Sequence, residues 1–235
     1  MAGRWGPIPE EWTPRVEVVG RIVARVHIHR LILVRGTPGS GKSILLRLIA
    51  KHMEVNHPEV DVKIILMWTQ APGAKKSEQV IQHHTSYTYD GLLNSPKTMV
   101  LIDEGQETYS DAILWSQFKI HGNSSAMFII FSAYGSAGAY PASIPGTLAG
   151  LVPLQRISLS WEPKISNLDE VALEEMPVGL YLQPHEAADL IDRFRPTDKS
   201  RPNFENDACQ YLTEMSGGHA GALGGLLEQI MNNKV

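Results

Sequence analysis

Two short stretches of this chain carry residue types whose spacing can do chemistry. The octet Gly36-Thr37-Pro38-Gly39-Ser40-Gly41-Lys42-Ser43 fits G-x-x-x-x-G-K-S/T at every fixed position. Its glycines permit a tight turn whose backbone N–H groups point inward at phosphate oxygens, and a helix starting there adds its positive end. Lys42 supplies a point charge for the β- and γ-phosphates. The hydroxyl of Ser43 is a hard oxygen ligand for Mg²⁺, an ion that keeps its waters and takes phosphate oxygens. The second stretch is Asp103-Glu104, two carboxylates directly after the apolar run TMVLI. Two carboxylates allow two roles, Asp103 holding Mg²⁺ through its water shell opposite Ser43 and Glu104 polarising the water that attacks the γ-phosphate. The plainer reading of such a pair is a helix cap beside an exposed charge, common for isolated Asp-Glu dipeptides.

Both stretches need a strand behind them. LILVR runs into the octet and ILLRLIAKHM, with helical apolar periodicity, follows it, so a strand–loop–helix unit is predicted. VDVKIILMW reads as a second strand ending at Trp68, TMVLI as a third buried on both faces, and MFIIFSAYG as a fourth. RISLSW reads as the fifth, ended by Glu162-Pro163. Helices are expected over 15–29, where the spacing breaks at Gly20, after the octet, to His84, near Tyr89–Leu93, and over 110–121 with Trp115 and Phe118. The order predicts an α/β, doubly wound, parallel five-stranded core. Ser132 is the first choice for a γ-phosphate sensor at the exit of the fourth strand and Tyr134 the second, against a reading as plain loop residues.

The first 14 residues hold three prolines and two tryptophans, which favours an extended strap over a helix. Ile8, Pro9 and Trp12 offer flat apolar surface for a nucleotide base, or plain anchoring to the core. The loop GSAGAYPASIPGTLAG is long for a compact domain, and its role is not readable. His27 and His29 read as surface or core-edge residues, and the adjacent His83 and His84 as a solvated surface.

At 235 residues the chain has room for one sizeable core and one small cap, placed at 1–163 and 164–235. A net charge of −4 argues against a general nucleic-acid-binding surface, so nucleic acid is expected only through flanking domains. The single cysteine, Cys209, has no internal partner, which points to a reducing compartment. No apolar run has transmembrane length, and the start lacks the basic and apolar regions of a signal peptide. The expectation is a soluble protein of the cytoplasm or nucleus, with no membrane partner.

The acidic pair on its own strand resembles the additional-strand P-loop ATPases, in which that strand lies one strand away from the P-loop strand. QPHEAADLIDRF followed by FENDACQYLTEMSGGHAGALGGLLEQI is similar to the helical lid of AAA+ and especially STAND-type signalling ATPases. There a small-residue turn of the form GG-x-x-x-AL opens a late helix. A narrower likeness, on LVRGTPGSGKS, the MW after the second strand, VLIDEGQETY and RISLSWEP, is to the NTPase domain of Crinkler effectors and related retrotransposon hot-spot proteins. The resemblance implies ATP and Mg²⁺ as cofactors, a lid that closes over the site, and a protein partner or self-association. The narrower likeness also implies either an effector secreted into a host cell, where it acts intracellularly, or an element-encoded ATPase, with nuclear or DNA-linked partners supplied by other domains.

Two departures weaken a ring-forming motor. Arg156 is the one candidate for a trans-acting arginine finger, with pairing to an acid as the alternative. No arginine lies near Gly217-Gly218-His219, where a second sensor would sit, so His219 either contacts phosphate or stands exposed beside a helix start. No NKxD-type element for guanine and no arginine-rich phosphate lid of a small-molecule kinase are found, which leaves an ATP hydrolase or a nucleotide-gated switch. Leu182, Leu190, Ile191, Leu212, Leu223 and Leu226 should line the cap, and the charged stretch Arg195–Arg201 should be exposed.

Overall fold

The computed structural model describes residues 5–68, 77–120, 125–133, 150–158, 178–194 and 205–232. Five parallel strands form one sheet: β1 (Leu31–Gly36), β2 (Asp61–Ile65), β3 (Thr98–Ile102), β4 (Met127–Ala133) and β5 (Arg156–Ile157). Their spatial order is β2-β3-β4-β1-β5. The strand carrying Asp103-Glu104 is therefore separated from the loop strand by β4 alone, as the resemblance implied.

Each central strand is apolar on both faces because both faces are covered. Ile32 and Val34 of β1, Leu101 of β3 and Phe131 of β4 face α1 (Val16–His29) and α2 (Lys42–Asn56). Leu33, Val100, Ile130 and Phe128 face the opposite layer of α3 (Ser77–Thr85), α4 (Tyr89–Leu93) and α5 (Ala112–Ile120), where Trp115 is fully enclosed. Burying each such side chain stabilises the fold by about 1.5–3 kcal/mol, so the two apolar layers fix the strand register from both sides.

Several element ends differ from the sequence reading. β2 stops at Ile65, and Leu66 and Met67 are exposed, because it is an edge strand whose pairing with β3 ends there. Trp68 is buried beyond the strand, against the α3–α5 layer. α1 runs unbroken through Gly20, since a face of Val18, Val19, Ile22, Val23 and Val26 packs it to the sheet. A 3-10 turn over Gly105–Ser110, absent from the sequence reading, links β3 to α5. The fifth strand is described only to Ile157, with Ser158 bridged to Gly179. Residues 159–161, the boundary at 163–164, Tyr134, most of the long loop after it and Arg195–Arg201 lie outside the described residues.

The C-terminal part is helical: α6 (Pro184–Phe194), α7 (Asn206–Ser216) and α8 (Ala220–Asn232). Its core is Leu182, Ala187, Leu190, Ile191, Leu212, Leu223 and Leu227. Leu226, expected to line the cap, is half-buried and packs against that core, and Leu227, outside the expected set, is fully within it because the helical phase set by Leu223 puts position i+4 inward.

This helical part is tied to the strap and to α1 by one buried ion pair. Arg15 Nε donates to Glu186 Oε1 at 3.0 Å and Nη2 to Oε2 at 3.1 Å, with both side chains 5% exposed. Further N–H groups of Arg15 donate to the carbonyls of Leu180 and Tyr181, and the Gln183 N–H donates to Glu186. Arg15→Ala would leave the Glu186 carboxylate buried without its cation. We expect a loss of about 3–5 kcal/mol in denaturant unfolding. A loss under about 1 kcal/mol would show that the pair does not hold the helical part in place.

Candidate functional site

The loop between β1 and α2 lies at the C-terminal edge of the parallel sheet, where α/β folds bind ligands. Gly39 and Gly41 have φ of 75° and 85°, the left-handed region that costs L side chains strain, and Gly41 is the residue ahead of α2. The turn closes with Ser40 N–H donating to Thr37 O at 3.2 Å. Lys42, 9% exposed, donates through Nζ to the carbonyls of Gly36 at 3.1 Å and Thr37 at 2.8 Å. Burial lowers its pKa from the ordinary lysine value, and the charges of Asp103 and Glu104 oppose that shift. The Ser40 hydroxyl is buried and, among the described residues, has no hydrogen-bond partner.

The two sequence stretches meet across α2 and β3. Ser43 Oγ donates to Asp103 Oδ2 at 2.7 Å, although the residues are 60 positions apart. Alternation along β3 sends Asp103 to the same face as Leu101, the face that α2 covers, which is why it reaches the first turn of that helix. Asp103 is buried, and its Oδ1 accepts the N–H of Glu104 at 3.0 Å. Glu104 is exposed and sits at φ 49°, a left-handed turn that takes its side chain out of the strand direction. The Gln106 side-chain amide donates to Glu104 Oε2.

A hydroxyl and a buried carboxylate in contact, beside a lysine and a second carboxylate, are the donors Mg²⁺ would need alongside phosphate oxygens and waters. Among the described residues no group of three or more His, Cys, Asp or Glu could hold a metal, so ligands from bound phosphate and water would have to complete such a site. His83 and His84 are exposed, as expected.

Ser132 is brought to the loop only in part. The strand pairing sets it beside Arg35, one residue before Gly36. Its side chain, in phase with Phe128 and Ile130, points to the α3–α5 layer, is fully buried, and bonds the Tyr109 hydroxyl at 2.8 Å. Arg156 is exposed and donates to Leu151 O at 2.6 Å.

The start of α8 lies directly on the loop. His219 Nδ1 accepts the N–H of Ala222 at 3.2 Å, which leaves the ring proton of a neutral imidazole on Nε2, 2.9 Å from Thr37 Oγ1. Gly221 N–H donates to Gly39 O at 2.8 Å. A Cβ on Gly221 would collide with that same carbonyl. Gly221→Ala is therefore expected to push α8 away from the loop and to weaken nucleotide binding by about 10-fold, the equivalent of one lost neutral hydrogen bond. Isothermal titration measures it; unchanged affinity would mean the contact has no part in binding.

A cavity of about 390 Å³ opens beside Gly39 and Gly41, within the size range of small-ligand sites. Trp12 and Arg15 from the strap, Ile44 from α2, Phe194 from α6, and Gly224 and Gly225 from α8 line it. Of the three residues expected to offer a base flat surface, Ile8, Pro9 and Trp12, Trp12 alone lines the cavity, with the Arg47 guanidinium 5.8 Å from its ring centre. Ile8 instead packs on the core. Arg15, Thr13 and the α8 glycines escaped the sequence reading. The i, i+3, i+4 spacing of Gly221, Gly224 and Gly225, a ridge without side chains, was the signal for them.

Sequence comparison with family profiles and with curated proteins finds no match. Structural comparison does. The chain is similar to the Walker-type ATPase PABY2304 of Pyrococcus abyssi, with a TM-score of 0.54, 13% identity, and 99% of this chain and 70% of that one covered. The fold is that of a P-loop NTPase. Similarity also extends to domain III of the replication initiation protein DnaA of Thermotoga maritima (TM-score 0.46, 11% identity, 95% and 87% covered). PCH-2 of C. elegans is similar at a TM-score of 0.40 and 15% identity, with 93% and 66% covered. Among the described residues no helix is long and apolar enough to cross a membrane.

Proposed function

We propose that the chain binds ATP with Mg²⁺ and hydrolyses its β–γ phosphoanhydride, and that the helical part moves as a lid during the cycle. The observation that carries this reading is the 2.7 Å contact between Ser43 and Asp103, which joins the phosphate loop to the acidic strand at the point where Mg²⁺ belongs. Gly36, Thr37, Pro38, Gly39, Ser40 and Gly41 cradle the phosphates through backbone N–H groups, and Lys42 exchanges its two carbonyl partners for phosphate oxygens. Glu104 polarises the attacking water. Ser132 is the γ-phosphate sensor in this reading, and its hydroxyl must exchange Tyr109 for phosphate to act. The cavity beside Trp12 takes the base, and His219 reports phosphate to α8 through Thr37.

Lid coupling is supported by the hydrogen bonds from His219 and Gly221 to the loop, since ligand that moves the loop moves α8. A signalling or effector role inside cells, acting on a protein partner or a second copy, extends the STAND and Crinkler likeness of the sequence. A nucleotide-gated switch with little turnover is the second reading, favoured by the polar contacts that already fasten α8 to the loop. Phosphate release from MgATP, followed over protein concentration beside a thermal shift, tests both. Release at a rate that rises per molecule with concentration supports a self-associating hydrolase. Binding without release supports the switch, and neither binding nor release overturns the reading.

A further inference from the structure

Gln106 stands in the 3-10 turn after the acidic pair and is 7% exposed. Its side-chain amide has two partners on two elements. The nitrogen donates to the Glu104 carboxylate, and the oxygen accepts the Ala133 N–H, the last residue of β4, at 2.9 Å. The orientation of the amide is dictated by these partners, because a carboxylate can only accept and a backbone N–H can only donate. No other side chain of this length offers a donor and an acceptor in one planar group: glutamate would set two carboxylates against each other, and methionine would leave the Ala133 N–H unpaired.

The turn that carries Gln106 is itself fastened to β4 and α5. Tyr109 bonds Ser132 at 2.8 Å, Thr108 Oγ1 donates to Gly105 O at 2.7 Å, and the Trp115 indole donates to Thr108 O at 3.0 Å. Glu104, by contrast, is exposed and sits on a left-handed residue, so its own backbone leaves its carboxylate without a wall to hold it. Among the described residues, the side chain donating to that carboxylate is the buried Gln106 amide, itself anchored to the Ala133 N–H. The bond engages Oε2 and leaves Oε1 available for a water.

We propose that Gln106 is a positioning residue for the hydrolytic step: it registers the Glu104 carboxylate against the end of β4, so that the group polarising water and the strand reporting the γ-phosphate move as one unit. The proposal rests on the hydrolase reading above and adds to it the residue that fixes its base. In this role Gln106 acts through Glu104.

The test is a double-mutant cycle on the full chain, with phosphate release and MgATP affinity measured for the parent, Gln106→Ala, Gln106→Asn, Glu104→Gln and the double variant Glu104→Gln with Gln106→Ala. Gln106→Ala is expected to lower kcat about 10- to 100-fold with KM within about twofold, as a misplaced group costs rate and not binding. Gln106→Asn, one methylene short, should not restore the rate. In the Glu104→Gln background the same Gln106→Ala change should cost less than about twofold, because a residue acting through Glu104 has nothing left to position. If Gln106 were only structural, its loss would cost the same factor in both backgrounds and would lower affinity as well, and that outcome overturns the proposal. A Gln106→Ala protein as fast as the parent, or faster, also overturns it while the hydrolase reading stands. A parent that binds MgATP without releasing phosphate, or a Glu104→Gln protein as fast as the parent, removes the hydrolase reading and this proposal with it.

Discussion

Glu104→Gln is expected to slow phosphate release by about 10²- to 10⁴-fold and to leave MgATP affinity within a few-fold of the parent, because general-base assistance contributes about that much to a rate. The substitution keeps shape and keeps the Ser43–Asp103 contact, so the groups proposed to hold Mg²⁺ are unchanged. Glutamine is neutral and cannot polarise water as a carboxylate does. Asp103→Asn should give the complementary result. It removes a buried negative charge from the Ser43 hydroxyl and from the ion's surroundings, so the Mg²⁺-dependent part of the affinity falls while binding of the base is retained. Titration with ATP in the presence and absence of Mg²⁺, beside release rates, separates the two. Equal release by Glu104→Gln and the parent would exclude Glu104 as the base and move the switch reading ahead.

Lys42→Ala is expected to abolish the stabilisation that MgATP gives. At a ligand concentration about 100 times the dissociation constant, linkage adds about 2.7 kcal/mol, which raises Tm by about 5–10 °C for a domain of this size. Without ligand the variant should melt near the parent, since among the described residues the Lys42 ammonium bonds two loop carbonyls and its side chain joins none of the apolar clusters. A variant that keeps the MgATP shift would refute the assignment of the loop. The lysine also sets a pH dependence. Burial holds its pKa below the ordinary value, and a bound polyphosphate would raise it by charge attraction. Binding therefore takes up a proton at alkaline pH: the contribution is fully present below the lowered pKa and is lost as pH rises through the raised one. Titration of the parent in two buffers of different ionisation enthalpy reads that proton, and an absence of uptake at alkaline pH would refute the coupling of Lys42 to phosphate.

The chemistry-bearing stretches were legible in the chain because each is local. Eight consecutive residues make the loop, and two make the acidic pair, so spacing alone identified them. β1, β3 and β4 were legible for a related reason: a strand buried on both faces reads as a continuous apolar run, a signal that needs no partner to be recognised. Their spatial order was not. Resemblance implied only that one strand separates the acidic strand from the loop strand, and the strand pairings supply the full order.

What only the tertiary structure decided is which polar groups meet. Ser132 reads as a free polar exit in sequence, yet strand alternation and a tyrosine 23 residues away turn its hydroxyl into the opposite layer. Arg15 and Glu186, 171 positions apart, look like two ordinary surface charges until both are buried against each other. Gln106 carries no motif, since its role comes from standing within reach of Glu104 and of the end of β4 at once. Leu227 is buried more deeply than its neighbour Leu226, which also packs on the cluster, because helical phase is set by what α8 packs on and not by the run of leucines. Local residue types fixed where phosphate chemistry could occur. Side-chain direction and long-range pairing, which depend on the assembled sheet and on the helices laid across it, decided which groups stand ready to perform it.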